Sequence, residues 1–174
     1  MNFDLQPILE NDLVILRPLR KEDYEVLFEV SSDPLIWEQH PDKTRSTKEG
    51  FARFFEESLA SKGTLLIEDK RSDKVIGSSR YKIIDLEDGV VEIGWTFLSR
   101  DYWGGEYNTS IKKLMINYAL DSAKHIIFYV AKNNLRSRIA VEKFGAEIIE
   151  DTKISWVANP TSGDVTYRIK SKLK

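Results

Sequence analysis

No cysteine occurs anywhere in the chain. That absence removes disulfides, thiolate zinc sites and a cysteine nucleophile at once, and makes a reducing compartment, the cytoplasm, the natural setting. Histidine is nearly as scarce: His40 and His125 lie far apart with no visible third ligand, so no metal site is expected. Neither sign of charge is in excess. With 26 Lys and Arg against 28 Asp and Glu the net charge is −2, which gives no electrostatic reason to bind nucleic acid or an anionic membrane. No apolar run approaches the roughly 20 residues that a membrane-crossing helix needs. The N-terminal stretch MNFDLQPILENDL carries acids and lacks an unbroken apolar core, so it does not read as a signal peptide. What is left, 41% hydrophobic and 31% charged over 174 residues, is the composition of one globular domain, residues 1–174, long enough to bury a full core.

Periodicity divides the chain into elements. Leu13–Leu19 reads as a strand and Lys21–Ser31 as a helix with Tyr24, Leu27 and Phe28 on its apolar side. Asp33-Pro34 breaks that helix and starts a short second one through Trp37. Ser46 is placed to cap a third, with Glu49 at the capping-box offset; Phe51, Phe54, Phe55 and Leu59 form its buried stripe, and Gly63 ends it. Thr64–Lys70, Lys74–Asp85 and Val90–Leu98 then read as an antiparallel meander, followed by a helix over Tyr107–Ala123, a strand Ile126–Ala131 and a helix Leu135–Phe144. Ala146–Val157 and Asp164–Lys172 read as a last hairpin around Asn159–Gly163. The basic tail Lys170–Lys174 is a solvated strand end, too short to suggest nucleic acid.

The most informative stretch is Ser99–Ala119, SRDYWGGEYNTSIKKLMINYA. Here a strand ends at a Gly-bearing turn that opens directly into an amphipathic helix, with Tyr107, Ile111, Leu114, Met115 and Tyr118 as its apolar stripe. Such a unit aims several unpaired backbone N–H groups and the positive end of the helix dipole at one point, which is a phosphate cradle. A plain Gly-Gly turn is the alternative for those residues alone.

Downstream lies Asn133–Ala146, NNLRSRIAVEKFGA. Together with the Gly turn it resembles the GNAT superfamily of acyl-CoA-dependent N-acyltransferases, and most of all the branch of ribosomal-protein N-terminal acetyltransferases. In that family an N-x-x-S motif opens the helix after the fifth strand, and the helix ends at a Gly beside an aromatic or apolar residue. Asn134, Ser137, Phe144 and Gly145 match this pattern. Trp103-Gly104-Gly105 with Asn108 matches the strand-to-helix turn, Glu92-Ile93-Gly94-Trp95 the acidic fourth strand, and Gly77–Tyr81 the third strand of one sub-branch. The resemblance runs from about Leu13 to about Ile169.

It implies a mixed α/β GNAT fold: a mostly antiparallel, twisted sheet of about seven strands flanked by helices, with the fourth and fifth strands splayed. It also implies acetyl-CoA as cofactor. The pyrophosphate would meet the backbone of Trp103, Gly104, Gly105, Glu106, Tyr107 and Asn108. The pantetheine arm would meet the freed backbone of Trp95, Thr96, Phe97 and Leu98. The adenosine 3′-phosphate would meet a surface cation, with Lys112, Lys113 and Arg136 as candidates, and Asn134 and Ser137 would line the CoA site. One residue departs from the pattern: Glu106 stands where the family usually has a second Gly, and puts a negative side chain into a phosphate loop. Either it points to solvent or it weakens CoA binding.

Acyl transfer to an amine requires that the amine lose a proton, that the oxyanion be stabilised and that the thiolate leave. Without cysteine, direct attack in a ternary complex is the available route. Glu92 is the candidate base. Strand alternation puts Glu92, Gly94 and Thr96 on one face and Val91, Ile93, Trp95 and Phe97 on the other. A cross-strand pair with Arg80 or Lys82 is its structural alternative. Ser137 is a candidate to protonate the thiolate, or simply a helix-start residue; Asn134 is a helix cap in either case. The resemblance implies that Trp37 and His40 border the acceptor site, and Arg80, Trp156 and Tyr167 would line it if the final hairpin folds over it. The expected function is N-acetylation of a primary amine, either a protein N-terminus or a small molecule, by a monomer or homodimer. A non-catalytic acyl-CoA sensor is the alternative that Glu106 motivates. A nucleotide-binding regulator is disfavoured because no Lys-Ser/Thr follows the Gly pair.

Overall fold

The computed structural model describes residues 1–170, 172 and 173. Apolar residues at alternate positions build eight strands into one sheet: β1 (Leu9–Glu10), β2 (Val14–Pro18), β3 (Thr64–Asp69), β4 (Lys74–Asp85), β5 (Val90–Leu98), β6 (His125–Ala131), β7 (Glu147–Ile149) and β8 (Asp164–Ile169). The order across the sheet is β1-β2-β3-β4-β5-β6-β8-β7, and among the described residues only the β5–β6 pair is parallel. Two residues more than the expected seven strands require make up β1, a short edge strand. Four α-helices complete the fold: α1 (Tyr24–Ser31), α2 (Lys48–Ala60), α3 (Glu106–Ala119) and α4 (Leu135–Lys143). No helix among the described residues is long and apolar enough to cross a membrane.

The sheet has two differently dressed faces. Val91, Ile93 and Ile126 point toward α3 and α4 and join Ile111, Met115, Val141 and Tyr167 in the larger core. On the other face Leu66 and Phe97 meet an aromatic cluster from α1, α2 and the turn Pro34–Trp37, in which Phe51 contacts Tyr24, Phe28, Phe54 and Phe55 at centroid distances of 5.2–6.1 Å. Burial of Phe51, Phe54 and Phe55, with Tyr24 and Phe28 half-buried against them, is the main source of stability on this side.

Three local expectations are corrected. Thr47, not Ser46, caps α2: its Oγ1 accepts from Gly50 N at 3.1 Å, while Ser46 closes a preceding single turn, Lys43–Ser46. The strand expected over Ala146–Val157 is only Glu147–Ile149, because Asp151 accepts from Lys153 N and folds the chain into turns, and Trp156 leaves the sheet plane to pack on Val90 and Ile127. The partner strand ends at Ile169 and lies between β6 and β7. Of the basic tail, Ser171 and Lys174 fall outside the described residues.

Candidate active site

β5 and β6 pair over Val90–His125, Val91–Ile126 and Glu92–Ile127. From Ile93 onward β5 has no partner on that side among the described residues, and the two strands part. In the same segment β5 carries a bulge. Arg80 faces Gly94 and Ser78 faces Phe97, so three residues of β5 span what two of β4 span. Trp95 takes up the excess at φ 52°, a left-handed conformation costly for a bulky residue. The bulge overturns the expected alternation. Phe97 packs with Trp37 and Phe54 on the face of Glu92, Trp95 lies over Arg80 on that same face, and Thr96 turns toward α3.

The mouth of the splay is the N-terminus of α3. Gly104 has φ 71°, which favours glycine, and a side chain at Gly104 or Gly105 would project into open space. Gly105 is the N-cap and offers no side-chain cap, so the first N–H groups of α3 are not satisfied by one. Tyr107 Oη donates to buried Asp69 at 2.8 Å and packs edge-on against Tyr102 at 4.7 Å, tying this turn to the end of β3. The Glu106 side chain is 67% exposed and turned toward Arg71, 3.5 Å away. Both features suit a pyrophosphate: backbone donors aimed at open space, with the one carboxylate of the loop directed at a cation elsewhere.

Glu92 is 6% exposed. Its carboxylate makes no hydrogen bond or ion pair among the described residues, although Lys82 is its cross-strand partner. It lies over Gly94, where an added Cβ would come within 2.9 Å of Oε1. Burial pushes its pKa up to about 7, against the weaker pull of Lys82 and Arg80. Tyr129, on β6, donates to Trp156 O at 2.5 Å, and burial together with the nearby Glu92 charge pushes its phenol up to about 12.

Lys112 is not a surface cation. Ile111, Lys112, Met115, Ile116 and Ala119 form the buried stripe of α3, one position round from the expected one. Its Nζ donates to Thr96 Oγ1 at 2.6 Å and Ser79 Oγ at 3.4 Å, and lies 5.8 Å from the Phe128 ring across the splay. Burial alone pushes its pKa down to about 7. Lys113 is exposed. Arg136 bridges the splay mouth: its guanidinium lies 4.1 Å from the Trp103 ring and donates to Ile36 O at 2.8 Å, while the Trp103 indole donates to Leu98 O at 3.0 Å. Asn134 caps α4, accepting from Ser137 N at 3.1 Å; the half-buried Ser137 hydroxyl makes no bond among the described residues.

The residues expected at the acceptor site are only partly brought together. Arg80 and Trp95, with Leu5, Tyr81 and Ile83, line a cavity of about 340 Å³ at the projecting edge of β4. Trp37 is 3% exposed, and its indole donates to Ser31 O. His40 lies edge-on to Trp37 and takes Asp42 N on Nδ1 at 2.9 Å; burial, then the Arg45 charge, lowers its pKa. Trp156 packs against Val90 and Ile127, beneath the paired end of β5 and β6. Tyr167 is on the opposite face: fully buried, it donates to Glu142 and accepts from Arg138, both on α4. A one-residue parity in β8 separates it from the acceptor side. Arg45, which holds a half-buried charge next to Trp37, was not among the expected residues; it sits in a polar loop, KTRS, with no sequence signal of burial.

The family described as acetyltransferase (GNAT) domain matches residues 14–147. An uncharacterized N-acetyltransferase p20 from Bacillus licheniformis is 29% identical over 122 residues, covering 66% of this chain; the match spans just under two thirds, 66%, of that relative's length. A GCN5-related N-acetyltransferase from Brucella melitensis superposes with TM-score 0.80 at 22% identity, over 95% of this chain and 79% of that one. The microcin C7 self-immunity acetyltransferase MccE, in complex with acetyl-CoA and AMP, superposes with TM-score 0.71 at 18% identity, over 92% and 94% of the two chains. At these identities the structural likenesses establish the fold.

Proposed function

The chain belongs to the acetyltransferase (GNAT) family, acyltransferases whose cofactor is acetyl-CoA, and from that membership we propose that it is an N-acetyltransferase acting on a primary amine. The acceptor is either a protein N-terminus, as the resemblance to the ribosomal-protein branch suggests, or a small amine. Acetyl-CoA, when bound, supplies an activated thioester. The chain's own groups hold it and move the proton. The turn Trp103–Asn108 offers its uncapped N–H groups to the pyrophosphate, and the unpaired edge of β5 from Trp95 to Leu98 offers backbone donors and acceptors to the pantetheine arm. Asn134 orders the start of α4 and with it the Ser137 hydroxyl, a donor for the departing thiolate.

Glu92 takes the proton from the amine, directly or through water. One observation carries this reading: a buried carboxylate without a hydrogen-bond partner stands on the last paired residue before the strands part, and its raised pKa suits a base working near neutral pH. The attack is direct, since no cysteine is available to carry the acetyl group. The alternative of a non-catalytic acyl-CoA-binding module rests on Glu106, and the turn of that carboxylate toward Arg71 weakens its support. The test is release of CoA thiol from acetyl-CoA across a panel of amines, with wild type and Glu92→Gln. The variant should lose roughly a hundredfold or more in kcat with CoA affinity little changed. A variant within about fivefold of wild type would return Glu92 to a structural role and favour an amine that arrives neutral.

A further inference from the structure

β4 outruns its neighbour. Past the last β3–β4 pair, Thr64–Arg80, it continues through Tyr81–Ile83, and the 340 Å³ cavity opens at this step. Two cations line it, Arg80 and the exposed Lys82, together with Trp95.

Arg80 is 6% exposed, yet no carboxylate lies within ion-pair distance of it among the described residues. Its guanidinium sits 4.5 Å from the Trp95 ring and 5.8 Å from the Phe54 ring. Nε donates to Thr64 Oγ1 at 3.0 Å and one Nη to Ser58 Oγ at 2.5 Å. The other Nη has no protein partner among the described residues. A second guanidinium, Arg45, shares the same aromatic wall, 4.6 Å from Phe54; its one carboxylate is Asp42, 3.4 Å away. Burial, with the Arg45 charge behind it, lowers the Arg80 pKa to about 10. The distant acids Glu57 and Glu92 offset this only in part.

Burying a cation beside another cation, without an anion, is costly. Hydroxyls and ring faces relieve that cost incompletely, and Arg80 borders the cavity. We propose that the acceptor amine carries its own carboxylate, and that Arg80 receives it there. This rests on the reading of β5 as the catalytic strand. Along the β4–β5 register Arg80 faces Gly94 and Lys82 faces Glu92, so an acid held at Arg80 leaves the amine of a small amino acid on the side of the Glu92 carboxylate. The Trp95 ring lies over the Arg80 guanidinium, 4.5 Å away. With two donor directions already committed to Ser58 and Thr64, Arg80 has one edge left. That edge suits a carboxylate, and the test below sets it against a phosphate.

The experiment uses the whole chain with acetyl-CoA and matched pairs: phenylalanine, methionine and glutamate, each against its α-amide, with O-phosphoethanolamine as a phosphate-bearing amine. Turnover is read as CoA thiol release. Binding is read separately, as the thermal shift of the CoA-loaded protein with each compound at millimolar concentration. The acids should exceed their amides by at least about tenfold in kcat/KM and give the larger shifts. In Arg80→Met that preference should collapse, and in Arg80→Lys it should survive in part; an intact thermal response to CoA certifies that both variants fold. Equal responses to acid and amide overturn the proposal, as does a phosphate-bearing amine preferred over the acids, or no response to any acid. A protein that binds CoA and the acids but acetylates nothing overturns the function proposed above and leaves this site standing.

Discussion

Lys112 carries an amine into the core and meets hydroxyls there, with no carboxylate partner among the described residues. The energetic sign follows from its pKa, about 7 folded against about 10.5 unfolded. Below about 7 both states hold the proton and the burial penalty is felt in full. Between about 7 and 10.5 the unfolded chain binds a proton that the folded one does not, so stability rises with pH. Lys112→Met keeps an unbranched side chain one atom shorter and removes the titration. Denaturant melts of the two proteins should show the wild type gaining on the variant, by on the order of a few kcal/mol, as pH climbs from 7 to 10. A difference that stays flat over that range would mean the amine is solvated. The sequence could not disclose this. A lysine at 112 is one position from the apolar stripe that the periodicity picked out, and the choice between a snorkelling surface amine and a buried one is made by the depth to which α3 sits on the splayed strands. Glu92 was legible for the opposite reason: a lone acid inside VVEIGW has no local excuse.

Among the elements, the α3 N-terminus is the part most fully written in the sequence. Strand, glycine pair and amphipathic helix occur in that order, and the helix begins at Glu106, one residue before Tyr107, where periodicity put it. What could not be read was the direction of the Glu106 side chain, because the partner that draws it, Arg71, is thirty-five residues earlier in another turn. An exposed pair of this kind contributes little to stability. Glu106→Gly should therefore change the CoA dissociation constant by less than about threefold, measured by calorimetry. A tenfold tightening would show that the carboxylate reaches the phosphates. The same limit explains Tyr167: β8 was expected, but the register against β6, Phe128 opposite Tyr167, decides which face its side chains take, and register is a tertiary property.

For the whole molecule, the sheet order and the layering follow from the element order and the handedness of the β5–α3–β6 crossover. The last connection does not, since residues 150–163 hold their course through turns and one buried tryptophan rather than through periodicity. A molecule whose two central strands part over an open helix end should gain stability when the gap is filled. A hundredfold excess of acetyl-CoA over its dissociation constant should add roughly 2.7 kcal/mol, visible as a rise of several degrees in Tm. No shift with millimolar acetyl-CoA would remove the cofactor from this fold's repertoire.

The extra residue in β5 also acts as a parity bit. Every side chain beyond it, from Thr96 to Leu98, sits on the face it does only because the count between Gly94 and Phe97 is odd by one against β4. Drawing the bulge out flat with every residue kept would send Phe97 from the aromatic wall toward α3 and bring Thr96 out of reach of Lys112, whereas removing Trp95 would restore plain alternation and leave both where they are. Substitution at any one of these positions alters one contact. Losing the bulge without losing a residue would trade the two chemistries of the sheet, a cation held by hydroxyls and a wall of rings, across it, so the bulge governs both faces of the second half of β5 at once.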